Sequence, residues 1–233
     1  MIEIKICGIT NREDALVAAA LGANALGFIF HPASPRYVSP IEAKEIIKLL
    51  PPTITRVGVF VNSGEAEVKK TADICGLDVI QLHGDESPEY CRRFPPESIV
   101  KAVFLNSDND LACLESYHVR AFLADSRHDG RYGGTGRKAD WELAARTAEK
   151  YPLIIAGGLN ETNIAAALTT VKPVAVDINS GIEKAPGIKD HERMKRIIGI
   201  VKNMKLSATA GAAAHVNGIF KKSCKGGSRT APT

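Results

Sequence analysis

No apolar run in the 233 residues approaches the roughly 20 needed to cross a bilayer. The first ten residues, Met1 to Thr10, lack a basic start and a long apolar stretch, so a secretory signal is not expected. The five cysteines (Cys7, Cys75, Cys91, Cys113 and Cys224) are scattered, with no Cys-x-x-Cys pair. That pattern disfavours a disulfide framework or a thiolate zinc site, and the expected compartment is the reducing cytoplasm. No Gly-x-Gly-x-x-Gly follows the first strand-like run, which argues against a dinucleotide-binding sheet. The tail from Met204 to Thr233 has no acidic residue.

Composition is ordinary for a globular chain, with 45% apolar and 24% charged residues, so disorder or a coiled coil throughout is excluded. The formal net charge of +4 would point to an anionic partner if it were spread over the fold. It is not. The tail holds Lys205, Lys221, Lys222, Lys225 and Arg229, and residues 1–203 carry 25 basic against 26 acidic side chains, a net of −1. Nothing in the body of the chain calls for nucleic acid or membrane.

Short β-branched runs alternate with amphipathic stretches. Strands are expected at 3–8, 25–30, 55–61, 79–84, 99–105, 121–126, 153–158 and 173–179. Helical patterns fall between and after them, at 12–21, 40–50, 64–75, 88–94, 109–116, 140–150, 161–169 and 190–202. Such alternation implies parallel strands with crossover helices. Eight units within residues 1–203 fit an α/β fold of the (β/α)8 TIM-barrel type better than an open doubly wound sheet. The tail 204–233, rich in Ala, Gly, Ser and Lys, reads as disordered. Alternation also assigns faces. Ile4 and Ile6 share one side of the first strand, and Glu3, Lys5 and Cys7 the other. In the last strand Val174, Val176 and Ile178 oppose Ala175, Asp177 and Asn179.

Cys7, Gln81, His83, Asp125, Gly157, Gly158 and Asp177 all fall at C-terminal strand ends, the face where barrel enzymes place their chemistry. Glycines after strand seven (Gly157, Gly158) and the Ser180-Gly181 turn after strand eight suit a phosphate. Backbone N–H groups can approach an anion there. Either loop alone reads equally well as a tight turn. Cys7 is balanced between a small buried hydrophobe and a base. Lys5 on its face favours the thiolate and would lower its pKa. Asp125 ends an apolar run, Ala121 to Ala124, and is either a local cap or a general acid. Arg36, between stiffening prolines, reads as a surface arginine or a bidentate carboxylate ligand. The loop 126–139, ending Gly133-Gly134-Thr135-Gly136, reads as a mobile lid or a solvated loop. His31, His83 and Asp177 do not make a convincing metal set, so no metal is expected.

Together these motifs resemble the phosphoribosylanthranilate isomerase family. The markers run in order: Lys5-Ile6-Cys7-Gly8, Gly27-Phe28-Ile29-Phe30 through Ser34-Pro35-Arg36-Tyr37, Gln81-Leu82-His83-Gly84-Asp85-Glu86, Gly133-Gly134-Thr135-Gly136, Asp140-Trp141, Ala156-Gly157-Gly158-Leu159 and Val176-Asp177-Ile178-Asn179-Ser180-Gly181. The likeness spans Ile4 to about Val201. It implies an Amadori rearrangement in tryptophan biosynthesis, with Cys7 as general base and Asp125 as general acid. Arg36 would meet the anthranilate carboxylate. Gln81, His83 and Asp177 would bind substrate, and Gly157, Gly158, Ser180 and Gly181 the phosphate. No cofactor is implied, because an iminium intermediate is itself the electron sink. A monomer or homodimer is expected, with a small-molecule substrate as the partner. Ala139 departs from the family, which commonly has an aromatic residue before Asp-Trp. Rival readings are a phosphosugar epimerase, indole-glycerol-phosphate synthase, and a non-catalytic sugar-phosphate-binding barrel whose basic tail docks on an anionic partner.

Overall fold

The computed structural model describes residues 1–125, 127–128, 131–132, 141–204 and 218–220. Eight parallel strands close into a barrel. They are β1 (Glu3–Ile6), β2 (Ala25–Ile29), β3 (Thr55–Phe60), β4 (Val79–Leu82), β5 (Ile99–Val103), β6 (Ala121–Ala124), β7 (Leu153–Ile155) and β8 (Ala175–Ile178). Each pairs with its sequence neighbours, and β8 pairs with β1 to close the ring. The helices are α1 (Arg12–Ala20), α2 (Pro40–Ile47), α3 (Glu65–Cys75), α4 (Pro88–Cys91), α5 (Asp108–Cys113), α6 (Trp141–Lys150), α7 (Ile164–Val171) and α8 (His191–Asn203). Local chemistry sets their ends. Asn11 caps α1 by accepting from the Asp14 N–H, and Ser39 and Glu42 cap α2 reciprocally behind Pro40. These pairings satisfy N–H groups that a helix start leaves without partners.

Two cores result. Outward strand residues such as Ile4, Ile6, Val176 and Ile178 pack against the helices through Ala15, Leu168 and Ile197. The inward set is smaller: Ala25, Val57, Val79, Val100, Ala121 and Ala175 fill the lower barrel. The faces expected for β1 and β8 are the ones observed.

The alternating pattern located all eight barrel strands, with expected ends running one to three residues beyond those observed. It did not disclose the short antiparallel hairpin of Glu183–Ala185 with Ile188–Lys189. Segments of two or three residues are too short for any periodicity to register. Within the stretch read as a disordered tail, Gly218, Ile219 and Phe220 are described. Ile219 and Phe220 are buried among the inward residues of the lower barrel.

Candidate active site

A cavity of about 670 Å³ opens at the C-terminal ends of the strands, within the range of small-molecule sites. Cys7, Arg36, Gln81, His83, Asp125, Gly157, Gly158, Asp177 and Ser180 all line it. Of the expected site residues, only Gly181 does not.

Cys7 sits one residue past β1 and is buried. Its neighbour on the same face, Lys5, donates to Asp177 at 2.7 Å, from a position directly opposite it on β8. Both are almost wholly enclosed. Gly27 on β2 makes room for them: a Cβ there would lie 2.7 Å from Cys7 Sγ and 3.0 Å from Lys5 Cε. The electrostatics correct one sequence expectation. Burial pushes the Cys7 thiol above its usual range, and the Asp177 carboxylate adds to this. Lys5 pulls the other way and does not prevail. Burial also opposes the Lys5 charge, yet Asp177 and Cys7 together hold its pKa above the usual lysine value. Asp177 Oδ1 is buried without a hydrogen-bond partner among the described residues.

Across the mouth, Gln81 and His83 alternate on one strand face and form a relay. Gln81 Nε2 lies 2.8 Å from His83 Nδ1, and His83 Nε2 lies 3.1 Å from Asp125 Oδ2. With the Gln81 amide donating, His83 carries its proton on Nε2 and donates to Asp125. Outside the barrel, Lys101 holds the loop after β4. Its ammonium donates to the Gly84 carbonyl at 2.7 Å and to Glu86 at 2.9 Å.

Arg36 is not a surface arginine. Its Nε and Nη2 bind the Glu183 carboxylate at 2.7–3.0 Å. Lys189 donates to the same carboxylate at 2.9 Å, and the Gly187 N–H at 3.2 Å. Burial would raise the Glu183 pKa, but the Arg36 hydrogen bonds and the Lys189 ammonium hold it below the usual range. One edge of the guanidinium is thus fixed by protein, while Arg36 still lines the cavity. Gly157 and Gly158 both have positive φ, at 82° and 64°, as a tight turn that favours glycine requires. Gly181 has another task. A Cβ on it would fall 1.9 Å from the Leu159 carbonyl oxygen, so glycine lets the loops after β7 and β8 touch.

A family model for N-(5'-phosphoribosyl)anthranilate (PRA) isomerase matches residues 4–199. The chain belongs to the PRA isomerase family. A PRA isomerase from Syntrophus aciditrophicus is 55% identical over 202 residues, covering 87% of this chain and 88% of that one. One from Pelobacter propionicus is 47% identical over 209 residues, covering 90% of this chain and all of that one. Among solved structures, the Thermotoga maritima PRA isomerase superposes with a TM-score of 0.81 at 39% identity, covering 88% of this chain and all of that one.

In this PRA isomerase barrel, sequence reading missed Glu183 and Lys189 as partners of Arg36. Spacing gave no signal for this, since both lie about 150 residues beyond Arg36 in sequence. Of the loop after β6, read as a mobile lid or a solvated loop, Arg127–His128 and Arg131–Tyr132 form a short antiparallel pair. Its Gly133–Gly136 run and Ala139 lie outside the described residues.

Proposed function

We propose that Cys7 and Asp125 carry the acid–base steps of the family reaction. The chain is a PRA isomerase of tryptophan biosynthesis, an aldose–ketose isomerase. Its substrate, N-(5'-phosphoribosyl)anthranilate, is an aminoaldose closed as a furanose. Asp125 gives its proton to the ring oxygen. The C1'–O bond breaks, and the anilino nitrogen lone pair forms a C1'=N iminium. Cys7, as thiolate, removes the C2' proton. The freed electron pair makes C1'=C2' and neutralises the iminium. Transfer of the enol proton to C1' then yields the ketone, 1-(2-carboxyphenylamino)-1-deoxyribulose 5-phosphate. The proton taken by Cys7 passes to solvent and Asp125 takes one back, which resets the pair, so atoms and charge balance without an external oxidant or reductant.

The observation that carries this reading is the placement of a buried thiol beside a Lys–Asp pair at one side of the cavity, with a His-bonded carboxylate on a strand across the barrel. The cationic iminium would favour the thiolate, which offsets the resting thiol's raised pKa. Arg36, held on one edge by Glu183, presents the rest of its guanidinium to the anthranilate carboxylate. Asp177 Oδ1 accepts from a ribose hydroxyl, while Gln81 and His83 hold Asp125 and face the sugar. Gly157, Gly158 and Ser180 take the phosphate, with Gly181 keeping their loops together. A solved relative of TM-score 0.78 holds reduced 1-(o-carboxyphenylamino)-1-deoxyribulose 5-phosphate, which is the ligand class this cavity is built for.

Another structure is described as monomers generated from a dimeric Thermotoga enzyme, and we take a monomer or homodimer as the assembly here. No helix among the described residues is long and apolar enough to cross a membrane; we propose the cytoplasm as its location from the scattered, unpaired pattern of its cysteines. Loss of anthranilate fluorescence on turnover tests the reaction. Wild type should quench the signal and Cys7→Ala and Asp125→Asn should not; unchanged rates in either variant would overturn its assigned role.

A further inference from the structure

The lower mouth of the barrel, opposite the active site, is an apolar pit. The inward side chains there are small: Ala25, Val57, Val79, Ala121 and Ala175. Ile219 and Phe220 fill the space they leave and are 1% and 3% exposed. Three polar contacts from separate points on the rim hold the inserted backbone. The Phe220 N–H donates to Glu3 at 2.9 Å, Thr55 Oγ1 donates to the Phe220 carbonyl, and Arg120 donates to the Gly218 carbonyl at 3.3 Å. Glu3 opens β1, Thr55 opens β3, and Arg120 immediately precedes β6.

The chain can reach this point by a short path. Helices in such a barrel run opposite to the strands, so α8 ends at the lower side. Consistent with this, Lys202 donates to the Leu21 carbonyl, just ahead of β2. Residues 204–217 can extend by about 45 Å, more than the distance from the helix ring to the barrel axis. The PRA isomerase family match ends at residue 199, and the Pelobacter and Thermotoga relatives are covered along their whole length by 90% and 88% of this chain. The last barrel helix ends at Asn203, and the family match at 199, both well before Gly218.

We propose that Gly218–Phe220 is an intramolecular plug and that the lower barrel mouth is its docking surface. The plug buries two large apolar side chains that would otherwise be in water. It ties the end of the chain to its first strand and raises stability without touching the reaction.

Two truncations test this. A chain ending at Asn217 lacks the plug, whereas one ending at Phe220 keeps it and loses only 221–233. The Asn217 chain should melt about 5 °C or more below the full chain, with kcat and KM within twofold. The Phe220 chain should melt with the full chain. A peptide spanning Asn217–Lys222, added in excess to the Asn217 chain, should recover most of the lost Tm. In the full chain the Phe220 amide should be protected from hydrogen exchange. Equal melting of the two truncations, or free exchange of that amide, would overturn the proposal. So would a Tm of the full chain that rises with protein concentration, since a second copy would then be supplying the plug.

Discussion

At the start of β1, Glu3 accepts from the tail at the lower mouth, and one residue past its end Cys7 lines the cavity at the upper one. Both project from the same strand face, about 13 Å apart. On β8, Ala175 and Asp177 make the same contrast two residues apart. The upper end gathers a thiol, a Lys–Asp pair and a His–Asp pair away from water. The lower end gathers alanine, valine and two tail residues. Burying polar groups is costly unless they are paired, and at the upper end most are paired, with Gln81 Oε1 and Asp177 Oδ1 left without partners among the described residues. The lower end has three anchoring contacts and one buried Glu3 oxygen without a partner among the described residues, in an apolar setting. Function is concentrated where burial is expensive, and stability where it is cheap.

The sharpest way to break this contrast is at the upper end. Cys7→Ala or Asp125→Asn should each lower kcat by about a thousandfold and leave Tm within a few degrees. A rate within tenfold of wild type would remove that residue from the acid–base scheme. Lys5→Met asks whether the upper end costs stability. It leaves Asp177 buried with its cation gone, so urea unfolding should show a loss of about 3 kcal/mol or more; a loss under about 0.5 would mean that the pair is not truly enclosed. Glu183→Gln should raise KM about tenfold with kcat within twofold, since it weakens a charge-assisted clamp on Arg36. An equal fall in kcat would show that Glu183 acts on the chemistry and not on substrate capture.

The pH profile gives a smaller effect. The base must be deprotonated, and burial with Asp177 raises the Cys7 pKa. The rate of Cys7 alkylation by iodoacetamide, which reads the thiolate alone, should therefore keep rising beyond pH 9, the ordinary thiol value, and a plateau below pH 8 would contradict the stated balance of charges. The smallest change belongs to the lower end. Thr55→Val removes one bond to the plug and should lower Tm by about 2–4 °C without altering kinetics. A change in KM there would show that the two ends are coupled.

Much of this was legible in order and spacing. Period-two alternation in β1 and β8 placed Cys7 and Asp177 inside the barrel, and strand-end position placed His83 and Asp125 at the mouth. The misses share one cause. The Cys7 pKa was read from Lys5, two residues away, but burial in the closed barrel outweighs it, helped by the Asp177 carboxylate from 172 residues beyond Lys5. Arg36 was balanced toward the surface because its partner, Glu183, is 147 residues distant. Ile219 and Phe220 carry no periodic signal in a stretch of Ala, Gly, Ser and Lys.

What the sequence determined by itself was the alternation of strands and helices, the inward and outward faces, and the set of residues able to do acid–base chemistry. These depend on backbone period and side-chain type, which are local. Closure of the barrel decided the rest. It set which carboxylate faces which cation, which thiol is dehydrated, and whether two apolar residues of a tail find a pit to fill. Those properties depend on distance and on the exclusion of water, and neither exists until strands far apart in the chain are brought together.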